Sequence, residues 1–172
     1  NIKWYNFHEG DEGMKQKELA KWLKWIIVFA ALIGMFLCIV VVPFFGRDTA
    51  LMYPEFAYMF WPCLIFVWIT AVPFYFALYK AWLICQEIYV DNSFCRANAE
   101  RLRDISKLAL TECILYSAAM IVLFILNLLH PSILLMILFV IFVGISIGIV
   151  AAALSHLVEK ARELKEENDL TI

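Results

Sequence analysis

The chain has 172 residues, of which 64% are hydrophobic and only 17% charged, with a mean hydropathy of +0.80. A soluble domain is about half apolar and roughly a quarter charged, so this composition excludes an ordinary soluble globule and implies a single polytopic membrane domain. The net charge of −2 identifies no partner class, because the charges fall in separate clusters along the chain, and no direct contact with nucleic acid is expected.

Residues 1–13 are polar, with Trp4, Tyr5 and Phe7 interspersed and with Gly10 and Gly13. They read as a mobile or interfacial part of a cytosolic arm, residues 1–24. Within that arm, residues 14–24 carry a helical pattern. Leu19, Trp22, Leu23 and Ile26 share one face at the i, i+3, i+4, i+7 spacing, and Lys17, Lys21 and Lys24 share another. Such a segment is either an interfacial helix whose ammonium groups meet anionic headgroups or the basic flank of the first span.

Four apolar stretches follow, each near the ~20 residues needed to cross about 30 Å of hydrocarbon. Span 1 covers residues 25–45, with Pro43 and Gly46 at its predicted end. No small-residue cleavage pattern follows it, so a cleaved signal peptide is not expected. An external loop over residues 46–55 holds Arg47, Asp48 and Glu55. Phe44, Phe45, Tyr53, Phe56, Tyr58, Phe60 and Trp61 surround it, as expected of an aromatic belt at headgroup level or, alternatively, of a ligand-binding aromatic box.

Span 2 covers residues 56–79 and contains Pro62 and Pro73. Proline removes a backbone donor, so a kink is expected near Pro73. No breaker intervenes until Asp91, Asn92 and Ser93, which predicts that this helix projects into the cytosol. Those three residues form a turn and a helix start, with Asn92 or Ser93 as N-cap. Residues 80–107 thus form a cytosolic helical hairpin. Its second arm is amphipathic: Phe94, Arg101, Ile105, Leu108 and Glu112 line one stripe, while Glu100, Arg103, Asp104 and Lys107 line the wet side. Glu100 with Arg103 and Asp104 with Lys107 have the i, i+3 spacing of weak helical pairs.

Span 3 covers residues 108–129. His130, Pro131 and Ser132 form a short external turn into span 4, residues 133–158, and a cytosolic tail covers residues 159–172. The fold class is therefore all-α, a polytopic four-helix bundle in which helices 2, 3 and 4 extend into the cytosol. Its orientation follows from the positive-inside rule. Five Lys lie in the arm, five Lys or Arg in the 2–3 connection and three in the tail; Arg47 alone of the fourteen lies outside. Both termini are expected inside.

Few residues in the spans carry chemistry. Glu112 lies about 7–8 Å past Lys107 along the helix, and an ionisable group there is a functional candidate unless it is paired or hydrated. Lys80 and His156 are its candidate partners. The site is either a coupling, proton-linked group or a structural tie between helices. Gly144, Gly148 and Ala152 make a small-residue stripe suited to close helix packing within the chain or to a homodimer. Arg96, Arg101 and Arg103, with Asp169, Leu170 and Ile172 of the tail, form a candidate partner surface. The tail end either docks a partner or tucks against the projecting helices.

The five Cys read as small packing residues, with no C-x-x-C pair. His130 and His156 lie at opposite membrane faces and cannot share a haem. No hydrolase, metalloprotease or phosphate-loop motif is present, so no enzyme activity, metal or cofactor is expected.

Val72, Pro73 and Phe74, the run Ala77, Leu78, Tyr79, Lys80, Ala81, the segment from Asp91 to Cys95, the run from Arg101 to Ser106, and the ending Glu166, Glu167, Asn168, Asp169, Leu170, Thr171, Ile172 together resemble the bacterial membrane proteins of the domain of unknown function 2975 family. Cys95 stands where that family has Ser. The resemblance covers the whole four-span layout and implies a multi-pass protein of the bacterial cytoplasmic membrane. It implies no established activity, so it supplies no catalytic residue. Family members are often encoded beside a small helix-turn-helix DNA-binding protein of the Cro/C1 type. The expectation is a regulatory or interaction protein that engages a cytosolic partner through its helical platform. The alternative is a small oligomeric proton-coupled exporter or immunity protein using Glu112.

Overall fold

A computed structural model describes the backbone of residues 2–169 and the side chains of residues 17–168. Helix α1 (Ile2–Phe36) runs into a π-helical turn (Leu37–Val41) and on into α2 (Val42–Met52). After Tyr53 and a 3₁₀ turn (Pro54–Met59) come α3 (Phe60–Tyr89), α4 (Arg96–Ile125) and α5 (Pro131–Asp169). Four helical stretches are long and apolar enough to cross a membrane: Lys17–Met52, Pro54–Tyr89, Arg96–Ile125 and Pro131–Asn168.

Several boundaries differ from the sequence expectations. Residues 2–13, expected as a mobile or interfacial arm, are helical; a glycine costs a helix only about 1 kcal/mol relative to Ala, so Gly10 and Gly13 do not break it. The basic segment around Lys17 to Lys24 is coaxial with span 1. Pro43 and Gly46 do not end that span, and no open loop occupies residues 46–52. Pro43 instead sits in the first turn of α2, within a helix that runs on from α1 without a break. The π-turn just before it closes with the Val42 N–H on the Leu37 carbonyl. In that register the Cys38 carbonyl would receive the N–H of residue 43, and proline has none. The Trp68 indole N–H of α3 donates to Cys38 O instead, at 3.3 Å. A proline in one helix thus leaves an acceptor that its neighbour fills.

Two turns close without glycine. Asp91 and Asn127 take positive φ, 60° and 55°. At the end of α3, Asn92 N–H bonds Glu87 O and Asp91 N–H bonds Ile88 O; at the end of α4, Leu128 N–H bonds Leu123 O and Asn127 N–H bonds Phe124 O. Both are Schellman closures, which satisfy the last helical carbonyls and favour Gly or Asn at the left-handed position. The expected N-cap at Asn92 or Ser93 is not used. Cys95 is the N-cap of α4 and makes no side-chain cap bond. Asn98, one turn in, reaches back to donate to Ser93 O at 3.0 Å.

The helices form an open row in the order α1, α3, α4, α5, not a closed bundle. Among the described residues α1 packs on α3, α3 on α4 and α4 on α5, and no contact closes the ring between α1 and α5. Small and polar residues make the seams, as expected where lipid is as apolar as leucine and gives leucine no preference for the interior. Between α4 and α5, Ser106 Oγ donates to Gly148 O at 2.8 Å and Ser155 Oγ to Ala99 O at 2.7 Å. Between α1 and α3, the Tyr75 hydroxyl donates to Ala31 O at 2.9 Å. Gly34 admits this approach: a Cβ there would meet Phe74 Cε1 at 3.0 Å and the Tyr75 hydroxyl at 3.2 Å.

Candidate functional site

Antiparallel neighbours bring the same kinds of ends together. The Lys24 ammonium lies 5.5 Å from the Trp82 ring centre and 5.2 Å from that of Tyr89. Lys80 pairs with Asp104, and Ala99 is bonded by Ser155. The N-terminal part of α1, the end of α3, the start of α4 and the end of α5 therefore share one end of the row. All the described Lys and Arg except Arg47 lie toward that end, and Arg47 is in α2 at the other.

The α3–α4 hairpin is fastened at this end by one polar cluster. Arg101 Nη1 donates to Glu87 Oε1 at 3.3 Å, to Leu83 O at 3.2 Å and to Asn98 Oδ1 at 3.0 Å. Glu87 Oε2 accepts from Asn92 Nδ2 at 3.0 Å. Asn98 is 1% exposed, so its amide is one of the few fully sequestered polar groups, and both ends of it are satisfied. Ten Å or so along α3, at ~1.5 Å per residue, Lys80 Nζ meets Asp104 Oδ2 at 2.7 Å.

The candidate surface residues divide accordingly. Arg101 is consumed inside the cluster, with its side chain 20% exposed. Arg103 is exposed. Arg96 is exposed and pairs with Glu100 at 2.9 Å, one turn along its own helix. Neither predicted i, i+3 pair forms: Glu100 turns to Arg96, and Asp104 reaches across to α3. Phe94, placed on the buried stripe by the sequence, is exposed beside Val90 at the tip. In the tail, Arg162 is held by Glu159 at 2.8 Å and by Glu166. These carboxylates, Glu159 first, hold the guanidinium's pKa above its ordinary value. The side chains of Asp169, Leu170 and Ile172 lie outside the described residues.

Glu112 lies near Phe74 of α3, at the Pro73 turn. One carboxyl oxygen is buried and has no hydrogen-bond partner. One turn further on, the Tyr116 hydroxyl lies 3.4 Å from Thr70 Oγ1. The structure does not bring Glu112 together with its expected partners. Lys80 is engaged by Asp104. His156 is exposed, and the α4–α5 register sets it level with the start of α4, about 20 Å along the helix axis from Glu112.

Gly144 and Gly148 of the small-residue stripe face α4. A Cβ on Gly144 would stand 2.7 Å from Cys113 Sγ, whereas one on Gly148 would meet nothing nearer than 3.7 Å. Ala152 is exposed and Ala151 is buried in its place. The α4-facing register steps from 144 to 148, 151 and 155, and two steps of four overshoot the 3.6-residue turn. The sequence reading missed Asn98, Ser106, Ser155 and Glu87. Small residues recurring at seven-residue intervals in α4 (Ala99, Ser106, Cys113) were the available signal for the face turned to α5. All five cysteines are free. Among the described residues no group of three or more His, Cys, Asp or Glu gathers as a metal site would require.

Residues 45–172 match the family described as "Protein of unknown function (DUF2975)". The chain is also 34% identical, over 152 residues, to the protein named "Uncharacterized membrane protein YoaS" of Bacillus subtilis (strain 168); the match covers 87% of this chain and 95% of that one. No solved structure matches. With four spans, an all-helical fold and a match over three-quarters of its length, the chain is a multi-pass membrane protein and belongs to the DUF2975 family.

Proposed function

We propose that the protein is a regulatory interaction protein that holds a cytosolic protein partner at the membrane through the charged end of the row, and releases it when the spans respond to a change in the membrane or envelope. The carrying observation is the hairpin cluster around Arg101. Glu87, Asn92, Asn98 and the Leu83 carbonyl converge on one another, so the tip is held rigid while Val90, Phe94, Arg96 and Arg103 stay exposed beside it. Rigid presentation of apolar and Arg side chains suits protein recognition. The positive-inside rule assigns this end to the cytosol, which also puts both ends of the chain inside. A small helix-turn-helix regulator is the partner class we favour.

The test is a photoreactive residue at Arg103 in living cells. The expected result is one reproducible adduct with a soluble protein, weakened by Val90→Asp or Phe94→Asp. Absence of any adduct with a soluble protein, or an adduct indifferent to both changes, contradicts the proposal.

A second reading, a small oligomeric exporter or immunity protein coupled to protons, draws on the unpartnered buried oxygen of Glu112. It requires Glu112→Gln to abolish a transport or resistance phenotype. A phenotype untouched by that change removes it.

A further inference from the structure

On the face of α1 turned away from α3, Glu18, Lys21, Trp22 and Trp25 line a shallow groove. Trp22 is 70% exposed and Trp25 71%. Lys17 and Lys21 are exposed, and no ion pair joins either to another described residue. Lys24 differs from them: its ammonium is turned toward α3 over the Trp82 and Tyr89 rings, and Ala20 on the same side is fully buried. The α3 aromatics thereby fix the rotation of α1, and with it the direction in which Lys17 and Lys21 point.

We propose that this groove binds the headgroup of an anionic phospholipid, phosphatidylglycerol being the chemistry it fits. Trp25 opens the apolar span, so the groove lies at headgroup depth, where an indole can rest its ring on acyl chain and donate its N–H to phosphate or ester oxygen. Lys21, with Lys17 one turn below, supplies the cationic pair for the phosphodiester. On the side away from α3, the Lys17 and Lys21 ammonium groups stand against the Glu18 carboxylate, so the groove side is net positive by one charge and complements a singly charged anion. The inference rests on the membrane location alone and stands whether or not a cytosolic partner exists.

The test uses the full-length protein in vesicles of phosphatidylcholine containing brominated phosphatidylglycerol or brominated phosphatidylcholine, with tryptophan fluorescence as readout. Stronger quenching by the brominated phosphatidylglycerol is expected. Replacing Trp22 and Trp25 by Phe should remove most of that difference. K17Q/K21Q should abolish the preference, by about five-fold for each lysine removed, and K17R/K21R should retain it. Equal quenching by the two lipids, or a preference that survives K17Q/K21Q, overturns the proposal. Displacement by soluble glycerol phosphate at low concentration also overturns it, because the groove would then be a site for the free phosphate.

Discussion

Arg101 of α4 and Glu87 of α3 meet at 3.3 Å across the turn that joins their helices, and both are largely buried there. The same guanidinium holds the Leu83 carbonyl and Asn98. Removing it leaves a carboxylate, a carbonyl and a sequestered amide short of partners. Arg101→Ala should lower stability by about 1–3 kcal/mol, the cost of stranding buried polar groups. Arg96→Ala, which breaks only an exposed pair on one helix, should cost no more than about 0.5 kcal/mol. Thermal unfolding in detergent compares the two, and equal effects would refute the clamp.

Lys80 serves Asp104 and not Glu112. A double-mutant cycle on Lys80→Met and Asp104→Asn should give a coupling of about 0.5–1 kcal/mol, because the pair is partly solvated. The cycle on Lys80→Met and Glu112→Gln should give none. Coupling in the second cycle would restore the partnership expected from the sequence.

The two glycines of α5 should respond unequally. Gly144→Ala forces its Cβ against Cys113 Sγ and should destabilise by about 1–3 kcal/mol, as overpacking does. Cys113→Ala should relieve part of that loss. Gly148→Ala adds only ordinary contacts and should stay within about 0.5 kcal/mol, as should Ala152→Leu on the exposed face. The same unfolding series reads all four.

The α1–α3 seam has its own test. Trp68→Phe keeps the ring and removes the donor to Cys38 O, and should cost about 1 kcal/mol. Pro43→Ala restores an N–H to residue 43. In that background Trp68→Phe should cost less, because the orphaned acceptor has been supplied from within its own helix. Additive losses would show that the proline does not create the vacancy.

The spans and the segregation of charge were legible in the sequence because both follow from composition over long windows. Chain breaks were less legible. Pro43 and Gly46 are good stop signals taken singly, but a π-turn absorbed the proline and Gly46 lies flat against Phe60. The single stripe drawn on α4 failed for a different reason. That helix has two neighbours and buries two faces: Arg101, Asp104, Glu112 and Tyr116 toward α3, and Ala99, Ser106 and Cys113 toward α5. An apolar pattern cannot reveal an interior built from Ser, Asn, Cys and Gly while Leu and Ile face lipid. For the candidate site, Glu112 was conspicuous as the acid within a span, but its neighbours depend on helix register. Register is fixed by contacts such as Ser106 on Gly148, which no local sequence signal specifies.

The central claim is that the charged end of the row works in the cytosol. Its most direct measurement is labelling of single introduced cysteines, in a background lacking the five native ones, by a membrane-impermeant reagent. Asp48→Cys should label in intact cells, whereas Ala97→Cys, on the exposed side of α4, should label only after the membrane is opened. Labelling of Ala97→Cys in intact cells, with Asp48→Cys protected until the membrane is opened, would invert the molecule and contradict the account.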